Sequence, residues 1–68
     1  MKYTEEIFNL LSKGNFISID SLNPLHKKLY DVIEDNFDEY YEYFSGIGFI
    51  LEGGAGYWMF TRREGKAD

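Results

Sequence analysis

The chain has 68 residues, room for one domain, with 44% hydrophobic and 19% aromatic residues, no cysteine, and twelve acidic against seven basic side chains for a net charge of −5. A chain this short buries only about 60% of the surface its unfolded form exposes, so six phenylalanines, six tyrosines and one tryptophan must supply an efficient core. The missing cysteines exclude a disulfide framework and thiolate metal sites and fit a reducing compartment, with the cytoplasm expected.

Apolar periodicity divides the chain into six elements. The first is a helix over about Tyr3–Ser12, with Tyr3, Ile7, Leu10 and Leu11 at helical spacing, Thr4 as the expected N-cap and Gly14 past its end. Phe16–Ile19 reads as a short strand, and Asp20, Ser21 and Asn23 then favour a turn. A second helix is expected from Pro24, suited to a first turn, to Asp35. Its stripe is Leu25, Leu29, Val32 and Ile33. Asn36 interrupts and is expected to cap a third helix, Phe37–Ser45, whose Phe37, Tyr40, Tyr41 and Phe44 recur at three- and four-residue spacing. Gly46 and Gly48 end it. Phe49–Glu52 and Tyr57–Thr61 read as strands joined by the four-residue connection Gly53–Gly56, a hairpin signal. Residues 62–68 are expected to be a polar, frayed tail beyond a single domain over residues 1–61.

Helix, strand, helix, helix, strand, strand is the order of a winged helix, an α+β fold in which the first strand joins the terminal hairpin and three helices pack on the small antiparallel sheet. Another small α+β topology is the alternative. The apolar runs Gly48–Leu51 and Tyr57–Phe60 are too short to span a bilayer, and Lys2, Glu5 and Glu6 open the chain without the apolar run of a signal peptide.

Catalysis needs a nucleophile with its base, a paired acid and base, or a metal or cofactor cradle. His26 stands beside Lys27 and Lys28 without such partners. The glycines at 53, 54 and 56 precede a strand and lack the phosphate-loop pattern. Asp31, Glu34, Asp35, Asp38, Glu39 and Glu42 lack the alternating order of a calcium loop. No enzyme, metal or cofactor is expected.

In DNA-binding winged helices the third helix enters the major groove and presents basic or amide side chains. Here Asp31 to Gly48 holds six acids and no base. Asp38, Glu39 and Glu42 on the third helix would be repelled by phosphates and would lose hydration without gaining a partner. Lys27, Lys28, Arg62 and Arg63 are the residues that could touch a phosphate backbone from the wing side. Their plain reading is solubility charge. Tyr40, Tyr41 and Tyr43 cannot all face one core, so Tyr41 is expected to turn partly outward, with Tyr43 joining the core edge. Trp58 and Phe60 share one strand face and Tyr57 and Met59 the other, so one pair looks away from the helices. Asp38, Glu39, Tyr41, Glu42 and Trp58 are therefore the candidate contacts for a protein partner. The competing reading is that a small domain uses its aromatics for its own core.

Ile7–Ser18 (IFNLLSKGNFIS) and Leu29–Phe60 (LYDVIEDNFDEYYEYFSGIGFILEGGAGYWMF) resemble MukE/MksE-like subunits of bacterial condensins. The resemblance lies in a helix ending in Leu-x-x-Gly, a Phe-Ile-Ser strand, a Leu-Tyr helix, and a Tyr-Phe run leading through Gly-Phe-x-Leu to an aromatic strand. It implies a winged-helix accessory subunit that binds the kleisin of an SMC complex in chromosome partition or plasmid defence. Members of that family carry tandem winged helices and this chain has room for one, making it an excised domain, a remnant or an unrelated protein of the same topology. A homodimer is also open. Two further functions stand beside this one: a regulator that touches DNA weakly through the wing and adjacent basic residues, and an acidic inhibitor that mimics DNA charge.

Overall fold

Three helices and a three-stranded antiparallel sheet follow one another in the order α1 (Thr4–Leu11), β1 (Ile17–Ser18), α2 (Pro24–Asp35), α3 (Phe37–Gly46), β2 (Phe49–Gly54) and β3 (Tyr57–Arg62). The structure is a computed structural model and describes residues 1–63. Its α+β class and element order are those expected from the sequence. The strands are ordered β1-β3-β2, with Ile17 opposite Trp58 in one pair and Leu51 opposite Phe60 in the other. The first strand thus reaches across the chain to the far side of the terminal hairpin.

Helix ends show how local chemistry sets the boundaries. The Asn23 side chain accepts the Leu25 N–H at 2.9 Å, which caps α2 with Pro24 in its first turn. After α1, the Asn15 N–H reaches the Leu10 carbonyl and the Gly14 N–H the Leu11 carbonyl, a Schellman closure with Gly14 at φ 89°. Two expected caps are different. Tyr3, not Thr4, precedes α1, in the left-handed conformation at φ 62°, and the Thr4 hydroxyl donates to the Met1 carbonyl. Asn36 is the single residue between α2 and α3, but its side chain donates backwards to the Val32 carbonyl. It closes α2 and makes no side-chain cap to α3.

Ile7 and Leu11 of α1, Ile17 of β1, Leu29 and Ile33 of α2, Tyr40 and Phe44 of α3, and Leu51 of β2 form the buried core. Phe44 is its aromatic centre, with the Phe60 ring 4.9 Å away edge-on and the Tyr40 and Phe8 rings stacked at 6.1 and 6.3 Å. Such pairs add about 0.5–1.5 kcal/mol each beyond the area they bury. The Tyr40 hydroxyl enters this core with a partner, donating to the Lys2 carbonyl. Leu25, expected in the stripe of α2, lies in its first turn and is exposed instead.

The hairpin turn is tighter than its glycines suggested. Gly53 and Gly54 belong to β2 and pair with Trp58 and Tyr57, which leaves Ala55 and Gly56 as the connection. A Cβ on Gly53 would lie 2.6 Å from the Trp58 ring, and one on Gly54 would overlap the Tyr57 ring. These two glycines make room for aromatic rings lying across the strand. At the other end Arg62 completes β3 opposite Phe49, and the Arg63 N–H donates to the Gly48 carbonyl at 3.0 Å. Both arginines, expected in a frayed tail, are therefore held by backbone pairing, while the rest of that tail, residues 64–68, lies outside the described residues.

Candidate functional site

Tyr40 and Phe44, one helical turn apart, turn into the core, so the geometry of α3 forces the residues between and beside them outward. Asp38, Glu39, Tyr41 and Glu42 share that outer face with Ser45, Gly46 and Arg63, around a shallow hollow of about 600 Å³. Four of the five residues singled out for partner contact are thus brought together. Tyr41 is 38% exposed, its ring resting 5.5 Å from that of Phe37. Asp38 and Glu39 occupy the first turn of α3, where carboxylates are favoured by the positive end of the helix dipole. Among the described residues, no ion pair joins any carboxylate of this face to a cation.

Trp58 stands apart. It faces the helices from β3, half-buried, with its ring 5.3 Å from Phe37 and 6.2 Å from Tyr30. Its indole N–H is buried and has no hydrogen-bond partner among the described residues. The outward strand face carries Tyr57, stacked on Phe16 at 4.8 Å. Trp58 supports the base of α3 through Phe37 and does not line the outer hollow.

The basic residues are dispersed and locally engaged. Lys27 pairs with Asp31 at 3.5 Å, both ends well exposed, and Lys28 lies 5.7 Å above the Tyr3 ring. Arg62 lies 5.8 Å over the Phe49 ring. The Arg63 guanidinium donates to the Ser45 carbonyl at 2.7 Å, a second donor beside the Gly48 N–H at 3.2 Å, and this contact makes Arg63 part of the acidic face. Arg62 and Arg63 also sit at the open end of the hairpin. Five residue steps along β3 separate Arg62 from Tyr57 at the turn, roughly 17 Å at about 3.3 Å per residue. These arginines therefore lie at the end of the hairpin away from its turn.

Against models of known protein families, residues 2–68 match the condensin complex protein MksE. The chain belongs to the MksE family. The resemblance read from Ile7–Phe60 is borne out, and membership of a condensin complex means that the MksE-family chain works beside other polypeptides. No curated protein and no solved structure gives a significant match. No helix among the described residues is long and apolar enough to cross a membrane.

Two features of this MksE-family chain escaped the sequence. Tyr43, expected at the core edge, is 47% exposed and meets Phe44 only edge-on at 5.3 Å. Its outward turn follows from 3.6-residue spacing once Tyr40 and Phe44 define the buried line. Arg63 joins α3 only through the chain reversal at Gly48, which no local signal reveals. Among the described residues, no group of three or more His, Asp or Glu side chains is placed to hold a metal ion. Burial, with Glu39 and Glu6 nearby, raises the Tyr40 phenol above its usual range. Tyr40 accordingly serves as a neutral core donor. What the outer face of α3 offers is carboxylates and an aromatic ring around a hollow, a surface suited to lysine, arginine and apolar side chains of another protein.

Proposed function

We propose that this MksE-family chain is a non-catalytic winged-helix module, with Ala55–Gly56 as the tip of its wing, that binds the kleisin of an SMC complex through the outer face of α3. Asp38, Glu39 and Glu42 receive basic side chains of the kleisin and Tyr41 packs against an apolar one, while Trp58 holds Phe37 beneath them. The single observation that carries this reading is the clustering of three carboxylates and Tyr41 on α3 around one hollow. Facing a duplex, those carboxylates would lose hydration against phosphates. The cytoplasm is the proposed place of work.

The test is calorimetric binding of a kleisin from an MksE-type condensin, comparing the unaltered chain with the variant Asp38→Lys/Glu39→Lys/Glu42→Lys. Exposed charge pairs contribute about 0.2–1 kcal/mol each, so losing three weakens binding by about threefold to a hundredfold. The circular dichroism spectrum stays unchanged because all three side chains are exposed. Equal affinities for the two proteins would overturn the proposal.

A further inference from the structure

The outer face of α3 continues around Tyr43 into a second depression between α1 and α3. Thr4, Glu5, Phe8, Tyr43 and Ile47 line this cleft of about 350 Å³, at the small end of ligand pockets and sized for one or two side chains. Tyr43 and Ile47, one helical turn apart, are 47% and 48% exposed. With Tyr41 they are the large apolar side chains that α3 and its C-cap leave exposed. Phe8 stands against the core side, clamped by Phe49 at 5.5 Å and Phe60 at 6.2 Å, so the cleft cannot close by collapse of that ring. Beyond Tyr43 lies another hollow lined by Met1, Glu39 and Glu42. Glu5 from α1 lines the apolar cleft itself, Glu39 and Glu42 from α3 line the neighbouring hollow across Tyr43, and among the described residues no lysine or arginine lines either depression.

We propose that the α1–α3 cleft receives one aliphatic side chain of a partner polypeptide whose flanking residues are lysine or arginine. The inference rests on the protein-docking reading of α3 and adds the chemistry of the partner: an apolar anchor with basic neighbours. The cleft removes the anchor from water, and Glu5, Glu39 and Glu42 meet the flanking cations at its rim. Complementary charge selects the partner and speeds encounter, whereas the buried anchor slows its release.

Three synthetic helical peptides test this against the full ¹⁵N-labelled chain by amide-resolved NMR titration: one with leucine at i and i+4 between lysines, one with the same leucines between glutamates, and one with glutamine replacing leucine between lysines. The expected result is that the leucine–lysine peptide shifts the signals of Phe8, Tyr43 and Ile47, while the other two bind at least tenfold more weakly. Ile47→Ser and Tyr43→Ser, both at exposed positions, retain the fold and weaken the leucine–lysine peptide at least tenfold. If the glutamine–lysine peptide binds equally well, the cleft proposal falls while the acidic docking face stands. Shifts confined to the exposed apolar residues Phe16, Leu22 and Leu25, or tight binding of the glutamate-flanked peptide, also overturn it. Failure of all three peptides to bind overturns it too, and kleisin binding by the unaltered chain would then decide separately for the docking face.

Discussion

Adding one methyl group at Gly53 should cost the fold more than adding one at Gly54, although both residues lie in the same strand beside the same turn. The Cβ of Gly53→Ala falls 2.6 Å from Trp58 Cζ3 and 2.8 Å from Cε3, far inside van der Waals contact. The indole cannot step aside, because Phe37 stacks on it at 5.3 Å and Tyr30 lies 6.2 Å away. Overpacking of this kind costs about 1–3 kcal/mol. Against the middle of that range, about 2 kcal/mol, stands a gain of up to about 1 kcal/mol from stiffening the unfolded chain, which leaves a net loss of about 1–2 kcal/mol. At Gly54 the obstructing atoms are the far end of the Tyr57 side chain, whose stacking partner Phe16 is exposed and free to move with it. Gly54→Ala should therefore be near neutral. Thermal unfolding followed by circular dichroism reads the difference, since 1 kcal/mol moves Tm by about 4–8 °C in a domain this size. A Gly53→Ala protein as stable as the unaltered one, or a Gly54→Ala protein that is the weaker of the two, would refute the reasoning.

Alkaline pH should destabilise the chain through Tyr40 and Tyr30, whose folded-state ionisation is pushed up chiefly by burial and then by carboxylates, Glu39 and Glu6 at Tyr40, Glu34 and Asp31 at Tyr30. The unfolded chain loses these protons first, so stability is fully present below the ordinary tyrosine value of 10.0 and is lost as pH rises through the higher folded value. Urea midpoints between pH 8 and 11 check this, and Tyr40→Phe should flatten the fall while costing about 0.5–1.5 kcal/mol at neutral pH for the lost hydrogen bond to Lys2. Arg63→Ala removes a cation that donates to the Ser45 carbonyl in the last turn of α3. It should lower stability by about 0.3–1 kcal/mol in denaturant unfolding, an effect that shrinks with added salt. Phe44→Ala empties the centre of the aromatic cluster, and a loss of about 3–5 kcal/mol leaves the chain largely unfolded at 37 °C by circular dichroism.

Element order was legible because each segment carries one unambiguous period. Ile7 with Leu11, Leu29 with Ile33, and Tyr40 with Phe44 each mark a helix face, and the same pairs are the buried ones. The acidic outer face of α3 was legible for the same reason, since fixing Tyr40 and Phe44 inward leaves Asp38, Glu39, Tyr41 and Glu42 outside. What escaped depends on contacts between distant residues. Gly53 and Gly54 read as loop until Trp58 and Tyr57 lie across them from β3. Asn36 has two helix ends within reach, and only the folded geometry decides which one its amide serves. Trp58 looked available because one face of β3 had to turn outward, and it is Tyr57 and Met59 that do so. Arg62 and Arg63 looked like a tail because strand pairing with Phe49 and the α3 contact at Ser45 are separated from them by more than ten residues.

The account stands or falls on what the outer face of α3 touches. Amide-resolved NMR titration of the ¹⁵N-labelled chain, first with the kleisin and then with a DNA duplex at physiological ionic strength, asks this directly. Shifts at Asp38, Glu39, Tyr41 and Glu42 with the kleisin, and none there with the duplex, are the predicted result. The same four signals moving with the duplex while the kleisin leaves them in place would contradict it.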